Sequence, residues 1–248
     1  MSAKVALVTG GSRGIGRAIA RRLALNGWKV AVHYGHDRSE AEQCHEELGQ
    51  ASVGIFQADL ALPDSAKSLF AAVEKVTQIH ALVNNAGVYM PMNFLKSGEV
   101  EFEATMRKTF TVNFENPLRL ARLASVGFVN SGRGGKIVNV CSRVGFKGES
   151  GAALYAASKA ALINVTRSLA GELASQNIQT FGIAPGWVDT AMAREGMEDR
   201  LPSILRDIPL GRMATPEDCA AVVAFLLSDQ ASYLSGNVID INGASYFH

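Results

Sequence analysis

Val5-Ala6-Leu7-Val8-Thr9-Gly10-Gly11-Ser12-Arg13-Gly14-Ile15-Gly16 is the stretch on which the architecture turns. A short apolar run of strand length ends in a cluster of glycines, and a helical pattern near 15–26 follows at once. Glycines let backbone amides approach an anion, and a helix start adds positive potential. The loop therefore reads as a phosphate cradle for a dinucleotide, with Gly10, Ser12, Arg13, Gly14, Ile15 and Gly16 as candidate contacts. Its spacing is Gly-x-x-x-Gly-x-Gly, not the Gly-x-Gly-x-x-Gly of the commoner fingerprint.

Beyond this unit the same alternation continues. Val5–Thr9, Val30–Tyr34, Val53–Gln57, Ala81–Asn84, Lys136–Cys141, Ile178–Ile183 and Val238–Ile241 read as strands. Helical patterns fall near 15–26, 38–48, 64–77, 99–113, 117–130, 153–175 and 216–228. The alternation predicts an α/β fold, a parallel seven-stranded sheet with helices on both faces. Several strands are apolar throughout, as burial on both faces requires. No repeat or linker divides residues 1–248, so a single domain is expected. The longest irregular stretch, approximately 187–213, carries Pro202, Pro209 and Gly211 and reads as a lid over substrate.

Of the 248 residues 48% are hydrophobic, enough for a large core, and the net charge of +1 favours neither nucleic acid nor an anionic membrane. No apolar run approaches spanning length. Cys44, Cys141 and Cys219 show no metal-ligand spacing, so no metal is expected, and their scatter suits a reducing, cytoplasmic compartment.

The second strand should end beside the adenosine ribose, where an acid would select NAD. Tyr34 occupies that place, with Arg38 close behind and Arg13 in the loop, and guanidinium suits a 2′-phosphate. NADP(H) is therefore favoured over NAD(H). A small register shift would instead bring Asp37 to the ribose.

Tyr155 and Lys159 lie four apart on one predicted helix, with Ser142 thirteen residues before the tyrosine. Residues four apart share a helix face. An ammonium beside a phenol is expected to draw its pKa below the usual value of about 10 and let it pass a proton near neutrality.

In order and spacing these residues resemble the short-chain dehydrogenase/reductase family along the whole chain. Gly10, Gly14 and Gly16 match its glycine motif, and Asp59-Leu60 its adenine contact. Asn84-Asn85-Ala86-Gly87 matches the segment after the fourth strand. Asn113, Ser142, Tyr155 and Lys159 match the catalytic set, and Pro185-Gly186-Trp187-Val188-Asp189-Thr190 the segment closing over nicotinamide. The resemblance implies a single-domain Rossmann-type, doubly wound sheet and hydride transfer between a nicotinamide and a carbonyl or alcohol carbon. It casts Tyr155 as proton donor and Ser142 as anchor of the substrate oxygen. Lys159 would hold the ribose and keep the phenol acidic, and Asn113 would anchor a water leading to Lys159. It also implies cofactor contacts at Asp59, Leu60, Asn85, Ala86, Gly87, Pro185, Gly186, Val188 and Thr190.

Within that family the runs ending in Ser142, starting at Tyr155 and ending in Gly243 are most similar to 3-oxoacyl-[acyl-carrier-protein] reductases. The expected reaction is NADPH-dependent reduction of a 3-oxoacyl thioester. The alternative is an NAD(P)-dependent dehydrogenase of another alcohol or ketone: a sugar, polyol, steroid or aryl ketone. A cofactor sensor without turnover would be expected to lack Tyr155 and Lys159. Such reductases carry two basic residues near the site mouth for the acidic carrier protein. Arg133 fits the first position, Gln176 stands at the second, and Gly171 interrupts the helix between. Tyr89, Met90, Met92, Phe146, Trp187 and Met192 are expected to line an apolar pocket. The resemblance also implies a homotetramer, and small-residue faces after Ser142 and at Val238–Ile241 are suited to pairing.

Overall fold

The computed structural model describes residues 3–194 and 200–248. Its elements are β1 Val5–Val8, α1 Gly14–Leu25, β2 Lys29–Tyr34, α2 Arg38–Leu48, β3 Ser52–Gln57, α3 Ser65–Glu74, β4 Ala81–Asn84, α4 Glu99–Phe110 and α5 Asn116–Ser131. They continue with β5 Gly135–Val140, α6 Val144–Lys147, α7 Ala153–Leu173, β6 Ile178–Pro185, α8 Ala191–Arg194, α9 Leu201–Arg206, α10 Pro216–Leu226 and β7 Val238–Ile241. All seven strands form one parallel sheet in the order β3-β2-β1-β4-β5-β6-β7.

Alternation along the strands sends side chains to two cores. Val8, Val32, Val83, Val138 and Phe181 pack with Ile19 and Leu23 of α1 and Val223 of α10. Leu7, Ala31, Leu82 and Ile137 pack with Leu69 of α3 and Leu120 and Phe128 of α5. Both faces are thus buried, which is why these strands carry no polar stripe. The strand order reverses between β1 and β4, and the crevice for a ligand opens there, beyond the carboxyl ends of the strands.

Three features depart from the sequence reading. The helix expected to stop at 113 runs on through a π turn, Thr111–Glu115, into α5, and Pro117 is accommodated in the first turn after it. Such turns tend to mark functional sites. Gly171 does not interrupt α7, which is regular to Leu173. Short helices α6, α8 and α9 fall where no period could show, α8 and α9 within the expected lid. Residues 195–199 of that lid lie outside the described residues.

Candidate active site

The glycine loop is held from three sides. Thr9 Oγ1 accepts the amides of Asn85 at 2.9 Å and Ala86 at 3.0 Å. The Asn85 side chain donates to Thr9 O at 2.9 Å and Gly10 O at 3.1 Å. His33 takes the Gly10 amide on Nδ1 at 3.0 Å and the Gly11 amide on its carbonyl at 2.9 Å. Gly10 and Gly14 have φ of 60° and 52°, open to glycine without strain. Gly16 meets a different demand: a Cβ there would strike the Gly10 carbonyl, so it lets α1 begin hard against the loop.

The start of α1 is ready for an anion. Its N-cap, Arg13, gives no side-chain hydrogen bond, and no acid sits in its first turn. By contrast Asp37 caps α2 through the Glu40 amide and Thr215 caps α10. A dinucleotide phosphate fits this start, where the helix field and uncapped amides point together. Ser12 is buried in the loop, and Thr190 faces it, 3.5 Å from where a Gly14 Cβ would stand. Gly186 approaches Asn242 closely, and Val188 is buried and bridged to Ala214.

On the adenosine side Tyr34 is buried at the end of β2. Asp37 is committed to capping, Arg13 is exposed, and exposed Arg38 pairs with Glu42 at 2.7 Å. Asp59 Oδ1 accepts the Ala61 amide at 2.9 Å, leaving Oδ2 to face His36 at 3.9 Å. Leu60 is core, and its carbonyl holds Asn116 at 2.8 Å.

Across the crevice, α7 brings Tyr155 and Lys159 to the end of β5. Lys159 is 3% exposed and its Nζ donates to Val140 O at 2.8 Å. The same ammonium lies 5.8 Å from the centre of the Tyr155 ring. Burial drives its pKa down to about 8, partly offset by Cys141. Tyr155 does not behave as expected. Burial raises its phenol to about 12, and the hydrogen-bonding pull of Ser142 offsets only part of this, while Cys141, Tyr89 and Glu149 push further up. Desolvation therefore sets the direction against the pull of Ser142.

Local packing sets this geometry. Gly145 of α6 lies so close to α7 that a Cβ would stand 2.9 Å from the Lys159 carbonyl carbon and 3.0 Å from the Ala160 amide. That contact seats the Ser142 segment on the Tyr155 helix. Gly87 lies between Asn113 and Lys159: its Cβ would be 3.3 Å from Asn113 Oδ1 and 3.5 Å from Lys159 Nζ. Asn113, wholly buried in the π turn, accepts from Val88 N at 2.8 Å and donates to Val88 O at 2.9 Å and Ser158 Oγ at 3.2 Å. With both amide hydrogens spoken for, its side chain can offer a water only an acceptor.

The pocket and docking expectations fare unevenly. Tyr89 meets Tyr155 edge-on at 5.2 Å, and Met92 N bonds Gly151 O at 3.1 Å, so that loop does flank the site. Trp187 packs with Ile204 and Ile208 of the lid, and Met192 is exposed. Phe146 is a correction: it packs with Leu162, Ile163 and Val238 and stacks on His248 at 3.7 Å, as part of a small core. Arg133 and Gln176 are another. They precede β5 and β6, whose starts are paired at Gly135 and Ile178, whereas Ser142 follows the other end of β5. A six-residue strand puts about 20 Å between them and their own site mouth.

Thr9, His33 and the Arg143–Glu149 pair, 3.5 Å apart beside Ser142, were missed from sequence. For His33 the signal was there: an imidazole within an otherwise apolar strand.

A crevice with one wall set for phosphate and the other carrying a titratable pair is the working part of Rossmann-type oxidoreductases. A family model described as enoyl-(acyl carrier protein) reductase matches residues 10–244. A 3-oxoacyl-[acyl-carrier-protein] reductase of Vibrio cholerae is 35% identical over 99% of this chain and 98% of its own. One from Staphylococcus aureus is 37% identical over 98% of each. Among solved structures, an acetoin dehydrogenase from Enterobacter cloacae matches with TM-score 0.88 and 30% identity over 98% of this chain and 96% of its own. The chain belongs to the short-chain dehydrogenase/reductase family, and is an oxidoreductase of CH–OH and C=O groups. Among the described residues no helix is long and apolar enough to cross a membrane.

Proposed function

We propose that this protein reduces a ketone carbonyl with NADPH, and that the carbonyl belongs to a 3-oxoacyl thioester. The observation that carries the reading is the buried Lys159 beneath Tyr155, facing the glycine loop across Gly87. Bound at the loop, the reduced nicotinamide supplies the hydride. Tyr155 holds the proton that the carbonyl oxygen takes up, and a phenol near 12 is fully protonated at neutral pH, as reduction needs. Ser142, 9% exposed, fixes the same oxygen by hydrogen bond. Lys159, charged below about 8, steadies the nicotinamide ribose and the charge developing on the phenol. Asn113 holds the Val88 strand of the loop against Lys159. The thioester assignment is supported by full-length similarity to 3-oxoacyl-[acyl-carrier-protein] reductases.

The pH profile follows. Tyr155 keeps its proton across the working range, so Lys159 sets the alkaline limb. Reductive kcat at saturating cofactor should be flat near neutrality and fall as pH rises through about 8. A rate that holds level well above this value would show that Lys159 keeps its charge or is not needed.

NADPH is expected to bind more tightly than NADH, since Tyr34 offers no carboxylate and Arg13 and Arg38 are exposed beside it. Fluorescence titration of both cofactors checks this. The double change Tyr34→Asp with Arg38→Ala should move preference toward NADH, and equal wild-type affinities would count against the 2′-phosphate reading.

A second reading is favoured by Gln176 and by the acetoin dehydrogenase likeness: a small free hydroxyketone as substrate, without a carrier. Comparing carrier-bound with small acetoacetyl thioester separates the two. Because Arg133 lies far from its own site, it can serve a carrier only at a neighbouring subunit's mouth. We propose a homotetramer, supported by exposed Val126 and Val129 on α5 and by Tyr233 and Phe247 near edge strand β7. Light scattering should give four chains per particle; a monomer at micromolar concentration would contradict it.

A further inference from the structure

We infer that His33, outside the proposed catalytic set, is a positioning residue for the dinucleotide: its ring pins the phosphate loop to the adenine-side loop through one neutral tautomer. The inference rests on the cofactor reading above and extends it to a buried residue of β2, the strand beside β1. His33 is 2% exposed. Its Nδ1 lies 3.0 Å from the Gly10 amide, a group that can only donate, so Nδ1 carries no proton. Its Nε2 lies 2.9 Å from the Ala58 carbonyl, which can only accept, so the proton is on Nε2. An imidazolium could not accept from Gly10, and the Nδ1–H tautomer would fail both partners. Burial, which lowers the ring's pKa to about 4, keeps it in the form that both contacts require.

The two partners belong to two different loops, one following β1 and one following β3. Gly10 is the first glycine of the phosphate loop. Ala58 directly precedes Asp59-Leu60, the pair proposed to face adenine. The His33 carbonyl also takes the Gly11 amide at 2.9 Å, and the Tyr34 carbonyl the Ala58 amide at 3.1 Å. Two successive loop amides are thereby committed to the protein. The amides left to an anion are those that follow, at the start of α1, where no side chain caps the helix. The main chain of β2 and the ring together set which amides are left to phosphate, and the ring adds the direct tie between the phosphate loop and the adenine loop.

Without the ring, a half-buried donor and a buried acceptor lose their partners, and each loop relaxes to find another or to reach water. A dinucleotide must then restore the bound arrangement, so affinity falls through lost preorganisation. Hydride transfer itself is spared, because Ser142, Tyr155 and Lys159 are seated by β5 and α7 on the other side of β4.

The test is a series at His33 with cofactor dissociation constants, kcat at saturating cofactor and thermal midpoints measured together. His33→Leu removes both contacts and should weaken NADPH binding by about tenfold or more. His33→Asn puts an acceptor where Nδ1 was, and His33→Gln a donor where Nε2 was. Each should recover part of the loss, with kcat within about twofold throughout, below the range of an acid–base effect. If the leucine variant fails to fold, the amide variants carry the comparison. Nitrogen NMR of the wild-type ring should report the Nε2–H tautomer. A lowered thermal midpoint with unchanged cofactor affinity would overturn the inference, as would a charged ring or an Nδ1–H ring at neutral pH. A wild-type chain that binds neither NADPH nor NADH overturns the functional reading and this inference with it, and shows itself before any substitution is made.

Discussion

Tyr155→Phe is expected to lower kcat by about 10²–10⁴-fold while leaving the cofactor dissociation constant nearly unchanged. The ring stays, with its edge-on contact to Tyr89 at 5.2 Å and its place above Lys159, so packing is preserved. What goes is the phenolic proton that the proposed mechanism passes to the substrate oxygen. Steady-state rates and a cofactor titration on the same preparation separate the two effects. A kcat within about twofold of wild type would mean the proton comes from elsewhere, because that change lies below the whole range of acid–base contributions.

Two alanine substitutions at glycine should act in opposite directions. Gly16→Ala places a methyl against the Gly10 carbonyl and 2.5 Å from Asn85 Nδ2. Neither neighbour can yield, since Asn85 is itself tied to Thr9 and Gly10. Overpacking of this kind costs about 1–3 kcal/mol, and the same shift spoils the phosphate loop. Gly171→Ala, in the last turn of α7 with nothing within 4 Å of its Cβ position, should stabilise by about 0.4–1 kcal/mol by restricting the unfolded chain. Thermal unfolding of both, with cofactor titration of the first, checks the pair. A Gly16→Ala chain as stable as wild type and binding NADPH normally would remove the argument for close approach at that loop.

The features legible in the sequence were those with a period or a fixed spacing. Seven apolar runs gave seven strands because burial on both sheet faces favours predominantly apolar sequence. The glycine loop was legible because its conformation excludes other residues at Gly10 and Gly14. Tyr155 and Lys159 were legible because a helix puts positions four apart on one face. What escaped depends on contacts between distant segments. The π turn at Asn113 is not encoded in any local pattern, so the two helices it joins read as separate. Thr9 and His33 acquire their roles only when β1, β2 and β4 lie side by side. Phe146 has the composition of a pocket residue but the surroundings of a core one. Arg133 matches a docking position by spacing, yet β5 carries the chain away from it before reaching Ser142. The Tyr155 phenol was expected low from one neighbour, whereas burial, which no sequence displays, sets its direction.

The electrostatic picture bears on direction. A phenol near 12 in the free chain holds its proton, and a lysine near 8 is charged at neutral pH. Both states suit reduction.

The central claim is that this crevice transfers hydride to a ketone. Its most direct test is the consumption of reduced cofactor by the wild-type protein against a panel of ketones, acetoacetyl thioester included, with NADPH and NADH in parallel. Oxidation of NADPH, one equivalent for each 3-hydroxyacyl thioester formed and faster than with NADH, is the expected result. Tight cofactor binding with no turnover of any ketone, or of the matching alcohols in reverse, would contradict it.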